Sequence, residues 1–349
     1  MVESVFNGYE IDEIYARNKV SILFDVNFPL FEQNCKAIRN RLVDKGSVRM
    51  SIAQITDAAI IKDAESLPPF PQVVHRIIPL LHSLAPLSEV EQVIQYDPII
   101  AARVLRVARS PYYGGSRVKT LRDAVVFLGQ RTLCETIVAA CSMGYFKDLD
   151  AYNGTSVHQA WQHSIAVAVM SQILATRMAL RTALANFMAG LLHDFGKLVL
   201  NSYLRPHKET FTKALVSGLS MREAEETILG TDHAAVGGII AESWQLPNVV
   251  IASIRHHHAP EEGGEFRRNA AVVCAADVIA MQAGYGYEGE WHTEKNDHWV
   301  LDDLKITPEG LAALVKQVKQ AVKGAMTSFG ENPANSEKTF SDLRGMPRS

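Results

Sequence analysis

Between Leu184 and Leu200 the chain is apolar on nearly every side of a helical projection, yet it carries His193 and Asp194 side by side and Lys197 shortly after them. A helix apolar all round lies at the centre of a fold, not on its surface. An isolated buried carboxylate is costly, so Asp194 demands partners. Ala189 and Gly190, one turn before His193, leave room for another helix to approach closely. Lys197 follows His193 by four residues and projects from the same face. The protein must therefore bury this segment and deliver polar groups to it from elsewhere in the chain.

The composition suits that demand. In 349 residues, 47% are hydrophobic and 21% charged, enough for a large core. Helical patterning dominates. Val73–Leu81 follows the breakers Pro68, Pro69 and Pro71. Ser88 offers an N-cap before the next helix, and Asp97-Pro98 opens another, in which Ile100, Val104 and Val107 share one face. Leu121–Leu128 and Thr132–Met143 read as two further helices. Val157, Trp161, Ile165 and Ala168 make one stripe of a helix whose neighbouring stripe starts at His163. Thr231 or Asp232 caps a helix ending before Pro247, another runs from Pro247 into His256-His257-His258, and Asn269–Ala283 is strongly apolar. Strand alternation is nearly absent beyond residue 60, so the fold class is all-α, a multi-helix bundle with at most a minor β element. The expected divisions are a small N-terminal extension over 1–60 (strand-like at Val20–Phe24, helix-like at Phe31–Val43), a main domain over 61–285, a C-terminal helical segment over 286–330, and a polar, flexible tail over 331–349.

Other helices carry groups that match the His-Asp pair. His163 heads its apolar stripe, His233 stands in the first turn of a capped helix, and His257 and His258 close another. Asp277 is embedded in AVVCAADVIAM, where an unpaired carboxylate is destabilising. Imidazole nitrogens and carboxylate oxygens are the ligands that iron, manganese and zinc take when thiolates are absent. One or two such divalent ions would resolve the burial of Asp194 and Asp277 together, and would lower the pKa of a bound water. Taken singly, each histidine has the plainer reading of a core residue with one hydrogen bond, and Asp194 that of a structural partner to Lys197 or a histidine. His75, His82, His158, His207, His256, His292 and His298 lack this context and read as surface or loop histidines. Arg103, Arg106, Arg109, Arg117, Lys119 and Arg122 form a local basic cluster, read as a solvated face.

The ordered set His163, His193-Asp194, His233, His257-His258, Asp277 resembles the HD superfamily of metal-dependent phosphohydrolases, and His193–Lys197 resembles the HD-x-G-K form of its HD-GYP branch. The wider chain resembles the HDOD domain, the HD-related output domain of bacterial signalling proteins. Leu67–Pro71 is similar to its opening L-P-x-x-P, and Tyr96–Arg106 to its D-P-x-L-x-x-R-L-L-R helix. Ala108–Gly114 is similar to its A-N-S-x-x-Y-G turn, and Leu121–Gly129 to the segment that follows. Asp232–Gly237 and Ile254–Pro260 are similar to its H-A-x-V-G and H-H-x-P elements. The resemblance implies an HD/HDOD-like helical fold, a regulatory role and a protein partner in a signalling pathway, and leaves a nucleotide ligand open. Many HDOD domains have lost the HD ligands, whereas this chain keeps a full set: His163, His193, Asp194, His233, His257, His258 and Asp277 for metal. After His258 it reads Ala259-Pro260-Glu261-Glu262-Gly263-Gly264, with no GYP signature, so cyclic-di-GMP hydrolysis of the HD-GYP kind is not implied.

Two functions follow. The favoured one is a regulatory output module with a metal-binding HD site. The alternative is a metal-dependent phosphohydrolase acting on a nucleotide or cyclic dinucleotide, with Asp194 and Lys197 as catalytic residues and Lys197 neutralising charge on phosphate. A net charge of −3 gives no global field for nucleic acid or anionic membrane. Only Tyr112 and Tyr113 lie near the basic cluster to stack on bases, so nucleic acid is not an expected partner. Cys35, Cys134, Cys141 and Cys274 are scattered and fit a reducing cytoplasm. The opening MVESVFNGYEIDE has neither the basic nor the apolar region of a signal peptide, and no apolar run approaches the ~18 residues of a membrane helix.

Overall fold

The computed structural model describes residues 59, 62–63, 67, 72–82, 85–114, 117–145, 156–286 and 299–329, all within one compact unit spanning 52–349. The N-terminal runs Val20–Phe24 and Phe31–Val43, the breakers Pro68, Pro69 and Pro71, and the tail 331–349 lie outside the described residues. Among the described residues every regular element is helical and none is a strand, in agreement with the all-α reading. In chain order they are α1 (Gln72–His82), α2 (Leu87–Ile94), α3 (Pro98–Ala108), α4 (Leu121–Ser142), α5 (Val157–Arg177), α6 (Ala183–Leu192) and α7 (Gly196–Leu204). After these come α8 (Lys208–Val216), α9 (Met221–Leu229), α10 (His233–Ser243), α11 (Asn248–Arg255), α12 (Arg267–Gln282), α13 (Trp299–Asp303) and α14 (Pro308–Phe329).

Local chemistry sets most helix starts. Asp97 accepts the Ile99 and Ile100 amides at 3.0 and 3.1 Å, and Pro98 takes the first helical position of α3. Reciprocal capping boxes open α4 (Thr120 with Asp123), α5 (Ser156 with Gln159) and α9 (Ser220 with Glu223). Asp232 caps α10 through the Ala235 amide. Ser88 is not the cap it was expected to be: α2 begins at Leu87, behind Pro86, with no side-chain cap bond. Leu121–Leu128 and Thr132–Met143 are the two helical runs expected, joined in α4 across a kink at Gly129, whose φ of 70° lies in the left-handed region open to glycine. Taken across that kink, α4 is long and apolar enough to cross a membrane, and 56% of that window is buried in the fold.

The basic cluster keeps a solvated face, with Arg106, Arg109, Arg117, Lys119 and Arg122 exposed, and two of its guanidinium groups also tie backbone. Arg103 donates to the Ala140 carbonyl at 2.6 Å, near the end of α4, and Arg109 donates to the Val118 and Lys119 carbonyls at 2.8 and 2.6 Å, just ahead of α4. The first satisfies a carbonyl in the last turn of a helix, where helical donors run out.

The core runs along α5 and α12. On α5, Trp161, Ile165 and Met170 are buried, and on α12 every residue from Asn269 to Ala280 is. Each large side chain removed from water contributes roughly 1.5–3 kcal/mol. Helix α5 packs on α6, α12 and α14, α11 packs on α6 and α12, and α10 packs on α7 and α11. The close approach expected at Gly190 is present: a Cβ there would stand 2.7 Å from Ser171 Oγ and 2.8 Å from the Val167 carbonyl.

The long apolar helix expected over Leu184–Leu200 is instead two. Helix α6 stops at Leu192, residues 193–195 form a turn, and α7 begins at Gly196. The turn brings α7 against the N-terminus of α10 so closely that a Cβ on Gly196 would stand 1.9 Å from the His233 carbonyl oxygen. His193 and Asp194 thus sit at a junction between helices, where both side chains can turn inward.

Candidate metal centre

The ligand-type residues read from the sequence come together. His163 comes from α5, and His193 and Asp194 from the α6–α7 turn. His233 is the first residue of α10, His257 and His258 lie in the turn after α11, and Asp277 is in the middle of α12. All are buried except His258, which is half-buried. His163 Nε2 stands 3.2 Å from His193 Nε2, 3.2 Å from Asp277 Oδ1 and 3.4 Å from Asp194 Oδ2. His193 Nε2 is 3.3 Å from Asp194 Oδ2 and 3.9 Å from Asp277 Oδ1. On the other side, His233 Nε2 is 3.0 Å from His258 Nε2 and 3.5 Å from Asp194 Oδ1.

What lies behind the rings decides what they present to the centre. His163 Nδ1 faces the Tyr285 carbonyl at 2.7 Å, His193 Nδ1 the Gly190 carbonyl at 2.8 Å, and His257 Nδ1 the Ile254 carbonyl at 2.7 Å. A carbonyl only accepts, so each Nδ1 carries a proton and Nε2 is the ring nitrogen turned to the centre. His233 Nδ1 is held in the same way by the Glu225 carboxylate at 2.7 Å. His163 and His193 thus turn Nε2 atoms to each other at 3.2 Å, a contact that bonds only with a proton or a cation held between them. Among the described residues, His257 Nε2 and Asp277 Oδ1 are buried with no hydrogen bond of their own, Asp277 Oδ1 meeting only the approach of His163 Nε2 at 3.2 Å.

The electrostatics agree. Burial would raise the Asp194 carboxyl, but His193 and Lys197 beside it hold it well below the usual carboxylate range. Burial, reinforced by His258, His193 and His233, holds His257 far below the ordinary imidazole value, in the neutral form a metal takes. Lys197, buried in the first turn of α7, donates to Asp194 Oδ2 at 3.0 Å. Two groups of three donors each fall within one ion's reach, His163–His193–Asp277 and His233–His257–His258, and His193–Asp194–His257 joins them. Asp194 turns one oxygen to each half. Acceptors facing acceptors, with orphaned buried lone pairs among them, are the donor set of a cation site, and a mixed nitrogen and oxygen set fits iron, manganese or zinc.

Sequence reasoning missed Glu225, which accepts both the backbone amide and Nδ1 of His233. Its signal was available: in MREAEETIL it shares the buried face of α9 with Met221, Ala224 and Ile228, whereas Glu226 lies outside. The carbonyls of Gly190, Ile254 and Tyr285 carry no residue-type signal at all. Among the histidines set aside, His75, His158, His207 and His256 are half-buried, the side chain of His82 and both His292 and His298 lying outside the described residues.

Comparisons with known proteins follow this geometry. A curated relative, ribonuclease Y of a Nitratiruptor species, is 32% identical over 118 residues, which is 34% of this chain and 17% of that protein. The chain spans no more than 40% of the length of the first curated relatives it matches. An HDOD domain protein of unknown function from Geobacter sulfurreducens superposes with a TM-score of 0.60 at 24% identity, over 82% of this chain and 95% of that one. A candidate signal transduction protein from Marinobacter aquaeolei gives 0.63 at 24% identity, over 85% of this chain and 66% of that one. These likenesses establish a shared helical fold. The family model of the HDOD domain matches residues 67–260, from Leu67 through the His257-His258 turn. With that match across more than half its length, the chain belongs to the HDOD domain family.

Proposed function

We propose that this protein is a signal-relay output module whose helical core is clamped by a divalent metal centre of one or two ions. The observation that carries the reading is closure: His163, His193, Asp194, His233, His257 and Asp277 are each no more than 5% exposed. A catalytic metal keeps a coordination position open to substrate, whereas a structural one is enclosed by its ligands. Ligands drawn from several helices and turns between residues 163 and 277 would tie α5, α7, α10, α11 and α12 into one body, a rigid unit through which a protein partner's contact can be transmitted.

A second reading, a metal-dependent phosphohydrolase acting on a nucleotide or cyclic dinucleotide, has one specific support. Asp194 faces both halves of the centre while Lys197 brings an ammonium to the same carboxylate. A divalent cation there supplies a water acidified toward hydroxide. Asp194 would hold that cation, and Lys197 would offset charge on a phosphate. The relative named ribonuclease Y, alike over a third of this chain, makes a phosphodiester the substrate to try first.

One experiment separates the two. Elemental analysis of the full chain should find about one to two equivalents of iron, manganese or zinc, and Asp194→Ala should lose them. The protein is then offered nucleotides, cyclic dinucleotides and short RNA. Metal without turnover supports the module, and turnover that disappears in Asp194→Ala replaces it with the hydrolase.

A further inference from the structure

The two halves of the centre are not built alike. The half made by His163, His193 and Asp277 has a carboxylate of its own and faces Asp194 Oδ2. The half made by His233, His257 and His258 is all imidazole, and its His233 Nε2 meets a carboxylate oxygen at Asp194 Oδ1, 3.5 Å away. A divalent cation there would be the poorer in negative charge. Behind this half stands Glu225, with no exposed surface. One of its oxygens, Oε2, accepts the His233 amide at 2.8 Å and the His233 Nδ1–H at 2.7 Å. The rings of His163, His193 and His257 are backed by neutral carbonyls, so His233 is set apart from them by a full charge.

A carboxylate behind an imidazole fixes its tautomer and makes the opposite nitrogen a stronger donor, a pairing typically worth about 10–100-fold in metal affinity. Holding the backbone amide as well as the ring, Glu225 also fixes where His233 stands at the start of α10. We propose that Glu225 is a positioning residue that sets the metal affinity of the His233–His257–His258 half and leaves the His163–His193–Asp277 half unchanged. The inference rests on the metal centre proposed above.

The test is stepwise titration of the metal-free full chain with cobalt(II), followed by its visible absorption. His258→Ala and Asp277→Ala identify which binding step belongs to which half. Glu225→Gln keeps the shape and removes the charge. It should weaken the His258-dependent step about 10–100-fold and hold the Asp277-dependent step within about twofold. Equal weakening of both steps, or of neither, overturns the proposal while leaving the centre intact. A wild type with no His258-dependent step overturns it as well, and one that takes up no cobalt overturns the metal centre too. If Glu225→Gln does not fold, the imidazole nitrogens of the zinc-loaded wild type are read by NMR. His233 should carry its proton on Nδ1, further downfield than the Nδ1 protons of His163, His193 and His257. A proton on Nε2, or no downfield difference, overturns the proposal.

Discussion

At the scale of single residues, the protein is organised by what burial does to ionisable groups. Asp194 can be buried because His193 and Lys197 keep it charged. Its replacement by Asn keeps the shape but removes the charge that faces the Lys197 ammonium, and breaking such a buried pair costs roughly 3–5 kcal/mol. Asp194→Asn should therefore melt well below the wild type even with metal withheld, a difference that thermal unfolding in chelator measures. Glu135 on α4 is the opposite case. Burial pushes its carboxyl up from 4.5 to about 7 despite an N–H donated by Gln172 of α5. A group raised in the folded state contributes its stability below the unfolded value and loses it as pH climbs through the folded one. Stability should thus fall between about pH 4.5 and pH 7 from this residue alone. Glu135→Gln should raise the melting temperature by a few degrees near pH 8 and change it little near pH 5. The His and Asp ligands were legible in the sequence because polar groups inside apolar helices need a reason. Glu225 was not, because in a helix with other glutamates only its position on the buried stripe distinguishes it.

At the scale of elements, the helices were legible where capping and periodicity agree, as at Asp97 and Asp232. They were misread where the deciding contact is distant. Helical apolar spacing resumes after His193, Asp194 and Lys197 and runs on to Leu200, so periodicity alone does not end α6 at Leu192. The break accommodates α10, whose first carbonyl occupies the space beside Gly196. Gly196→Ala must push the two helices apart, because its Cβ meets backbone rather than a flexible side chain. Overpacking typically costs about 1–3 kcal/mol, and here the displaced residue is His233. The expected outcome is a folded protein, by circular dichroism, with a lowered melting temperature and less metal by elemental analysis. Asp232→Ala removes the α10 cap and the Arg222 ion pair without crowding the backbone and should cost about 1–2 kcal/mol, so comparing the two separates strain from simple loss of helix stability.

At the scale of the whole molecule, the proposed metal centre would make unfolding depend on free metal. A ligand that binds only the folded state adds about 2.7 kcal/mol at a hundred times its dissociation constant. Chelation should lower the melting temperature, and restoring manganese or zinc should return it, with no such response in a chain lacking Asp194 and Asp277. Scanning calorimetry at two metal concentrations measures the effect. The anchoring of His163 has a further consequence. Its ring is steadied by the peptide at Tyr285, far along the chain and past the last helix to supply a ligand. A nascent chain emerging from the ribosome in order would present His163 early and wait for more than a hundred further residues before that ring had its support. An ion arriving sooner would meet an unfinished cage, so the proposed centre would take its metal only once residue 285 had joined the fold.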